Sequence, residues 1–185
     1  MRITGGEKKG IVLKTRGGQK TRPLSARVKE SMFEILRTRV INCAFYDFFA
    51  GNGAVGIEAL SRGAARAEFI EKDFNCVKII RKNISICDFR ERASVKKGDV
   101  LRMIPSITTD HGKDCIVFLG APYNSGLTEK SLENLEKYDP FPEHTIVIAE
   151  IRKNEQLREA YGLFRLFREK IYGDTKLRLY ERRSY

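Results

Sequence analysis

At 185 residues the chain suits one core of ordinary size. Its formal net charge of +11 and sequence pI near 9.6 favour an anionic partner. The longest apolar runs are strand-sized and the N-terminus is polar, which argues against a membrane span or a secretory leader. A reducing cytoplasm is the expected compartment.

The charge is concentrated at the start. Within residues 1–30, Arg2, Lys8, Lys9, Lys14, Arg16, Lys20, Arg22, Arg27 and Lys29 face only Glu7 and Glu30, a net of +7 that leaves +4 for the rest. A solvated basic face is the plain reading of such a run. Gly5-Gly6 and Gly17-Gly18 add expected flexibility, enough for the arm to settle on a phosphate backbone. No sustained apolar helical face is present, so nucleic acid is favoured over a membrane surface. A short hairpin is expected from Arg2-Ile3 with Ile11 to Lys14. A helix is expected over Ala26 to Arg37, with Val28, Met32, Ile35 and Leu36 as its apolar stripe and Ser25 as N-cap.

The most informative stretch follows. Asp47-Phe48-Phe49-Ala50-Gly51-Asn52-Gly53-Ala54-Val55-Gly56 joins a strand-like segment to a helix-like one ending near Arg62, where Gly63 suits the stop. Spaced glycines at such a turn let backbone N–H groups approach a ligand that a Cβ would block. Gly51-x-Gly53-x-x-Gly56 fits a nicotinamide dinucleotide site equally well. Asp47 shifts the balance, since a buried carboxylate repels a pyrophosphate and holds a cationic, amine-bearing ligand such as S-adenosylmethionine. The plain alternative is a tight turn with a capping Asp, but three spaced glycines exceed what one turn needs.

Downstream, strands are expected near 44–48, 67–71, 93–97, 115–119 and 145–150, alternating with helices near 54–62, 74–86, 100–104 and 128–137. Glu71 ends the second strand, where a doubly wound fold places an acid against ribose hydroxyls. Gly98-Asp99 closes the third and brings a carboxylate towards an adenine amino group. A solvated strand end competes for either acid alone. The stripe of Val77, Ile80 and Ile84 reads as core. A short helical stretch near 154–160 is expected next. Leu163 to Ile171 and Thr175 to Arg182 then read as a hairpin around Tyr172-Gly173-Asp174. This alternation by itself shows only an α/β fold.

Cys43, Cys76, Cys87 and Cys115 contain no Cys-x-x-Cys pair, and His111 and His144 are far apart in sequence. Neither a metal site nor a disulfide framework is expected, and the cysteines read as buried apolar residues.

The run from Asp47 to Ala64, followed by Phe69-Ile70-Glu71-Lys72-Asp73, resembles the bacterial methyltransferases that modify guanine N2 of small-subunit ribosomal RNA. Met1-Arg2-Ile3-Thr4-Gly5-Gly6 and Thr21-Arg22-Pro23 through Arg27-Val28-Lys29-Glu30 also resemble that family, so the likeness spans nearly the whole chain. It implies a Rossmann-like methyltransferase fold, with a mostly parallel sheet and an antiparallel C-terminal hairpin. It also implies a basic arm and helix over 1–40 that binds RNA and a methyltransferase domain over 41–185. S-adenosyl-L-methionine is the implied cofactor, lined by Asp47, Phe49, Gly51, Gly53, Gly56, Glu71, Lys72, Asp99 and Val100. Gly120, Ala121, Pro122 and Tyr123 would form the target-base wall, and Lys8, Lys9, Arg16, Lys20, Arg22 and Arg27 would hold RNA. The implied partner is ribosomal RNA or the small ribosomal subunit, met by a monomer with no metal and no membrane.

One motif departs from the family, at positions 120 and 121. After the fourth strand the family carries Asp or Asn, then Pro, Pro, and Tyr or Phe; here the run is Gly120-Ala121-Pro122-Tyr123. The family's side-chain oxygen accepts a hydrogen bond from the exocyclic amine, and the aromatic ring stacks on the base. Gly120 has no such acceptor. Losing one positioned group at a reacting centre typically costs about a hundred- to a thousandfold in rate. Two outcomes stay open: an RNA methyltransferase, or a catalytically impaired RNA-binding protein of the same fold acting in ribosome assembly. A nicotinamide-dependent oxidoreductase is a third reading, supported by the glycine spacing alone.

Overall fold

A computed structural model of the protein describes residues 1–15, 24–109 and 114–184. Five strands run parallel: β1 (Ala44–Phe48), β2 (Arg66–Glu71), β3 (Ala93–Lys97), β4 (Cys115–Leu119) and β5 (Ile146–Arg152). Three more, β6 (Ala160–Tyr161), β7 (Phe164–Tyr172) and β8 (Thr175–Arg182), extend the sheet antiparallel beyond β5. The order is β3-β2-β1-β4-β5-β8-β7-β6. Every residue of β1 and β4 is buried. That is why both read as nearly continuous apolar runs: parallel strands covered on two faces leave no polar side. The edge strand β3 exposes Ser94, Lys96 and Lys97, and the two charges discourage pairing with another chain.

The helices α1 (Ala26–Leu36), α2 (Ala54–Ser61), α3 (Phe74–Ile86), α4 (Val100–Met103) and α5 (Leu127–Tyr138) cover the two faces. One core holds residues of α1, α2 and α3 against Phe45, Phe69, Phe118 and Ile148. The other packs Val100 and Ile104 with Leu132, Leu135, Phe141, Tyr161 and Tyr180. Ser25 caps α1 as the sequence suggests, and the structure adds Asp73 as the cap of α3. Ser25 accepts from the Val28 N–H at 3.3 Å, and Asp73 from those of Asn75 and Cys76 at 2.8 and 3.0 Å. Gly63, at φ +103, ends α2 as expected.

Two expectations fail. The stretch near 154–160 is not helical. Ala160 and Tyr161 form β6 on β7, and the Lys153 N–H donates to the Asp174 carbonyl at 2.8 Å. So short a polar helix is marginal by itself, and the sheet edge offers its backbone better partners. Gly5-Gly6, expected to be flexible, is clamped to the end of α2. Ser61 Oγ donates to the Gly5 carbonyl at 2.7 Å, and the Glu7 N–H donates to the Ser61 carbonyl at 2.8 Å. Gly6 sits at φ +78, and a Cβ there would lie 1.8 Å from the Ser61 carbonyl oxygen. These glycines allow close approach, not motion.

The expected hairpin does form. Arg2 bridges Val12, and Ile3 and Leu13 enter the core beside α1. Beneath it the Lys29 ammonium lies 2.7 Å from Glu58, both side chains fully buried. Lys29 also donates to the Arg2 carbonyl at 3.0 Å, and Thr4 and Arg62 complete the shell of the Glu58 carboxylate. Burial alone would raise the pKa of Glu58, but Lys29 and Thr4 outweigh it and hold it below the usual value.

Candidate cofactor and target-base site

The chain moves outward from β1 to β2 and β3, then returns to place β4 on the other side of β1. The carboxyl ends of β1 and β4 therefore flank the crevice where open α/β sheets bind ligands. Asp47, Glu71 and Asp99 stand at or just beyond the carboxyl ends of β1, β2 and β3.

Asp47 is 1% exposed and its Oδ2 accepts from the Gly56 N–H at 2.9 Å. Burial pushes its pKa up to about 8, against the Gly56 hydrogen bond, and the charges of Glu71 and Glu150 add to the rise. Glu71 accepts from the N–H groups of Gly51 and Asp73, both at 2.8 Å. Its oxygens keep lone pairs for a further donor. Asp99 caps α4 through Leu101 at 3.0 Å, and its other oxygen lies 3.5 Å from the Lys72 ammonium, an exposed side chain. Val100, next to it, is buried.

The glycines divide the work differently from the sequence expectation. Their N–H groups are spent inside the protein: Gly51 on Glu71, Gly53 on the Ala50 carbonyl, Gly56 on Asp47. A Cβ at Gly56 would lie 2.4 Å from the Phe69 ring, so that glycine serves helix-to-strand packing. A Cβ at Gly51 would meet nothing within 4 Å, so Gly51 borders open space. Half-buried Phe49, at φ +60, turns the chain into this loop.

Beyond β4, Gly120 is half-buried, Ala121 buried and Pro122 exposed. The Pro122 carbonyl accepts from Ser125 Oγ at 2.5 Å, closing the turn. Tyr123 is pinned by its hydroxyl, which donates to Glu150 Oε1 at 2.6 Å and lies 3.0 Å from Thr175 Oγ1. Tyr123, Glu150 and Thr175 line a cavity of about 100 Å³ with Val28 of α1, its capping residue Ser25, and Tyr172 of β7. Glu150 was missed as a site residue. It ends the apolar run Ile146-Val147-Ile148-Ala149 much as Asp47 and Glu71 end theirs, and that parallel was the available signal. Burial raises its pKa, against the Tyr123 hydrogen bond.

Of the basic residues expected to hold RNA, Lys9 and Arg27 are exposed, and Lys8 is half-buried with its ammonium 5.7 Å from the Phe89 ring. Arg16, Lys20 and Arg22 lie outside the described residues, as does His111. The Lys14 backbone exchanges two hydrogen bonds with the Asn83 side chain at 2.8 and 3.0 Å. Lys14 thus sits beside Lys82, whose ammonium lowers its pKa. Among the described residues no group of three His, Cys, Asp or Glu could hold a metal, and no helix is long and apolar enough to cross a membrane. Cys43, Cys87 and Cys115 are buried, and burial pushes the Cys43 thiol up to about 12.

The protein family described as Conserved hypothetical protein 95 matches residues 1–181. The chain belongs to that family. It is 31% identical over 184 residues to ribosomal RNA small subunit methyltransferase D of Escherichia coli K12, covering all of this chain and 91% of that one. The solved structure of the Escherichia coli protein yhhF superposes with a TM-score of 0.87 at 30% identity, over 100% of this chain and 99% of that one. An RNA methyltransferase from Salinibacter ruber, solved with S-adenosyl-L-homocysteine, shares the fold at a TM-score of 0.66 and 20% identity, over 89% of this chain and 95% of that one. The mostly parallel sheet with antiparallel C-terminal strands is thus the methyltransferase fold this family uses.

Proposed function

We propose that this member of the family is an S-adenosyl-L-methionine-dependent RNA methyltransferase acting on the exocyclic N2 amine of a guanine in small-subunit ribosomal RNA. One observation carries the reading. In a chain of net charge +11, the side chains of Asp47, Glu71 and Glu150 are close enough to raise the pKa of Asp47. Among the described residues none of the three forms an ion pair. A cation bound in the open space at Gly51, beside Glu71, favours the charged forms that burial opposes, whereas a pyrophosphate disfavours them. A ligand carrying an ammonium and a sulfonium fits them; a nicotinamide dinucleotide does not.

In this reading Asp47, Phe49, Gly51, Gly53 and Gly56 shape the crevice, Glu71 receives ribose hydroxyls, and Lys72, Asp99 and Val100 border the adenine. Bound there, the cofactor would supply an electrophilic methyl to the guanine N2 lone pair, with S-adenosylhomocysteine as the leaving group and the N2 proton passing to solvent. The protein's part is orientation. Gly120, Ala121, Pro122 and Tyr123 wall the target base, which must be unstacked to reach them. Residues 1–40 form the RNA-binding extension of the catalytic unit 41–185, with Lys8, Lys9, Arg16, Lys20, Arg22 and Arg27 on the phosphates. The protein acts as a cytoplasmic monomer.

The test is transfer of labelled methyl to small-subunit ribosomal RNA, free or in subunits, taken from cells lacking the gene, followed by nucleoside analysis. N2-methylguanine is the expected product. Tight binding of S-adenosylhomocysteine with no transfer to either substrate would instead support the non-catalytic RNA-binding protein.

A further inference from the structure

The pairing of β4 with β5 runs to Leu119 opposite Ala149. The next positions on the two strands are Gly120 and Glu150. Side chains alternate along strands, so both face the side of Phe118 and Ile148, within the core beneath α1. An acid on the neighbouring strand thus stands one register step beyond the last β4–β5 pair, level with Gly120. It is 8% exposed and lines the cavity walled by Tyr123, Thr175, Tyr172 and Ser25. That cavity, at about 100 Å³, is several times what one water requires.

Glu150 has one oxygen engaged. Oε1 receives the Tyr123 hydroxyl, and among the described residues no donor reaches Oε2. Asp47 on β1 senses the Glu150 charge, so the carboxylate lies within electrostatic reach of the cofactor crevice. A carboxylate with one oxygen unengaged by the described residues, in a pocket beside an aromatic ring, matches the edge of guanine, whose N1–H and N2–H₂ are adjacent donors. It does not match adenine, which presents an acceptor at N1.

We infer that Glu150 is the hydrogen-bond acceptor for the N1–H and N2–H₂ edge of the target guanine, supplying from β5 what position 120 cannot. This rests on the proposed methyltransferase activity and adds the group that selects guanine. Glu150 also fixes the plane of the Tyr123 ring, against which the base stacks.

Glu150→Gln separates these roles, because the amide oxygen still accepts from Tyr123 while the amide nitrogen turns one acceptor into a donor. The experiment compares methyl transfer to small-subunit RNA carrying guanine or 2-aminopurine at the target position; 2-aminopurine keeps the N2 amine but has an acceptor at N1. Parent protein should prefer guanine. The Gln variant should lose roughly a hundredfold on guanine and much less on 2-aminopurine. A uniform loss on both bases would reduce Glu150 to a support for Tyr123 and overturn the proposal. So would unchanged discrimination in a fully active variant. No transfer by the parent to guanine RNA would remove the enzymatic reading itself, and this inference with it.

Discussion

Asp47 is a buried carboxyl held by one backbone N–H, with no cation beside it among the described residues. Its folded pKa of about 8 exceeds the unfolded value of about 3.9. Between those values the folded state holds a proton that the unfolded state has released, so stability falls as pH rises from about 4 to about 8. The slope from this group is at most ~1.4 kcal/mol per pH unit. Asp47→Asn keeps an acceptor for Gly56 and does not titrate. Urea unfolding at pH 5 and pH 8 should show the parent losing stability relative to the variant, and parallel pH curves would clear Asp47 of the role. At position 120 the obstacle is steric. A Cβ there would lie 2.8 Å from the Phe118 ring, which is buried. Gly120→Asp with Ala121→Pro should therefore cost about 1–3 kcal/mol. Adding Phe118→Leu should recover part of it. Denaturation midpoints decide this, and a neutral double variant would show that the ring yields freely.

The N-terminal hairpin is a structural element as well as a basic one. Ile3 and Leu13 are core residues, and Thr4 and the Arg2 carbonyl satisfy the buried Lys29–Glu58 pair. Removing residues 1–15 would strip that pair of partners, so truncation is a poor test of RNA binding. Lys29→Met leaves Glu58 charged and buried, and should cost about 3–5 kcal/mol by thermal or urea unfolding. The surface charges separate cleanly from this. Lys9→Ala with Lys14→Ala touches exposed side chains and should change stability by less than about 0.5 kcal/mol. RNA affinity should fall, and the slope of log affinity against log salt should flatten by about 0.7–0.9 for each phosphate the variant leaves unneutralised. Identical slopes would place the RNA elsewhere.

Across the whole molecule, the crevice draws on β1, β2 and β4 together, so a ligand bound there ties the sheet's centre to its loops. S-adenosylhomocysteine at a hundredfold its dissociation constant should stabilise the fold by about 2.7 kcal/mol. For a chain of this size that is a rise in melting temperature of roughly 5–10 °C. A nicotinamide dinucleotide should give no rise; a shift from it alone would reverse the assignment of the glycine loop.

The five parallel strands, the helices between them and the caps at Ser25 and Gly63 were readable in the sequence. Burial on two faces and unsatisfied helix ends leave local marks: apolar runs, short polar side chains, a terminal glycine. The acids Asp47, Glu71 and Asp99 were found by the same token, each at a strand end. What distant segments do to one another was not readable. Residues 154–160 became sheet edge because β7 offered backbone partners. Gly5-Gly6 became a clamp because the end of α2 approaches it. The role of Gly56 needed the Phe69 ring, and the unpaired state of Asp47 needed three strands at once. The sequence marked Glu150 only as an acid ending an apolar run; its place beside position 120, whose side chain is missing, needed the register of β5 on β4.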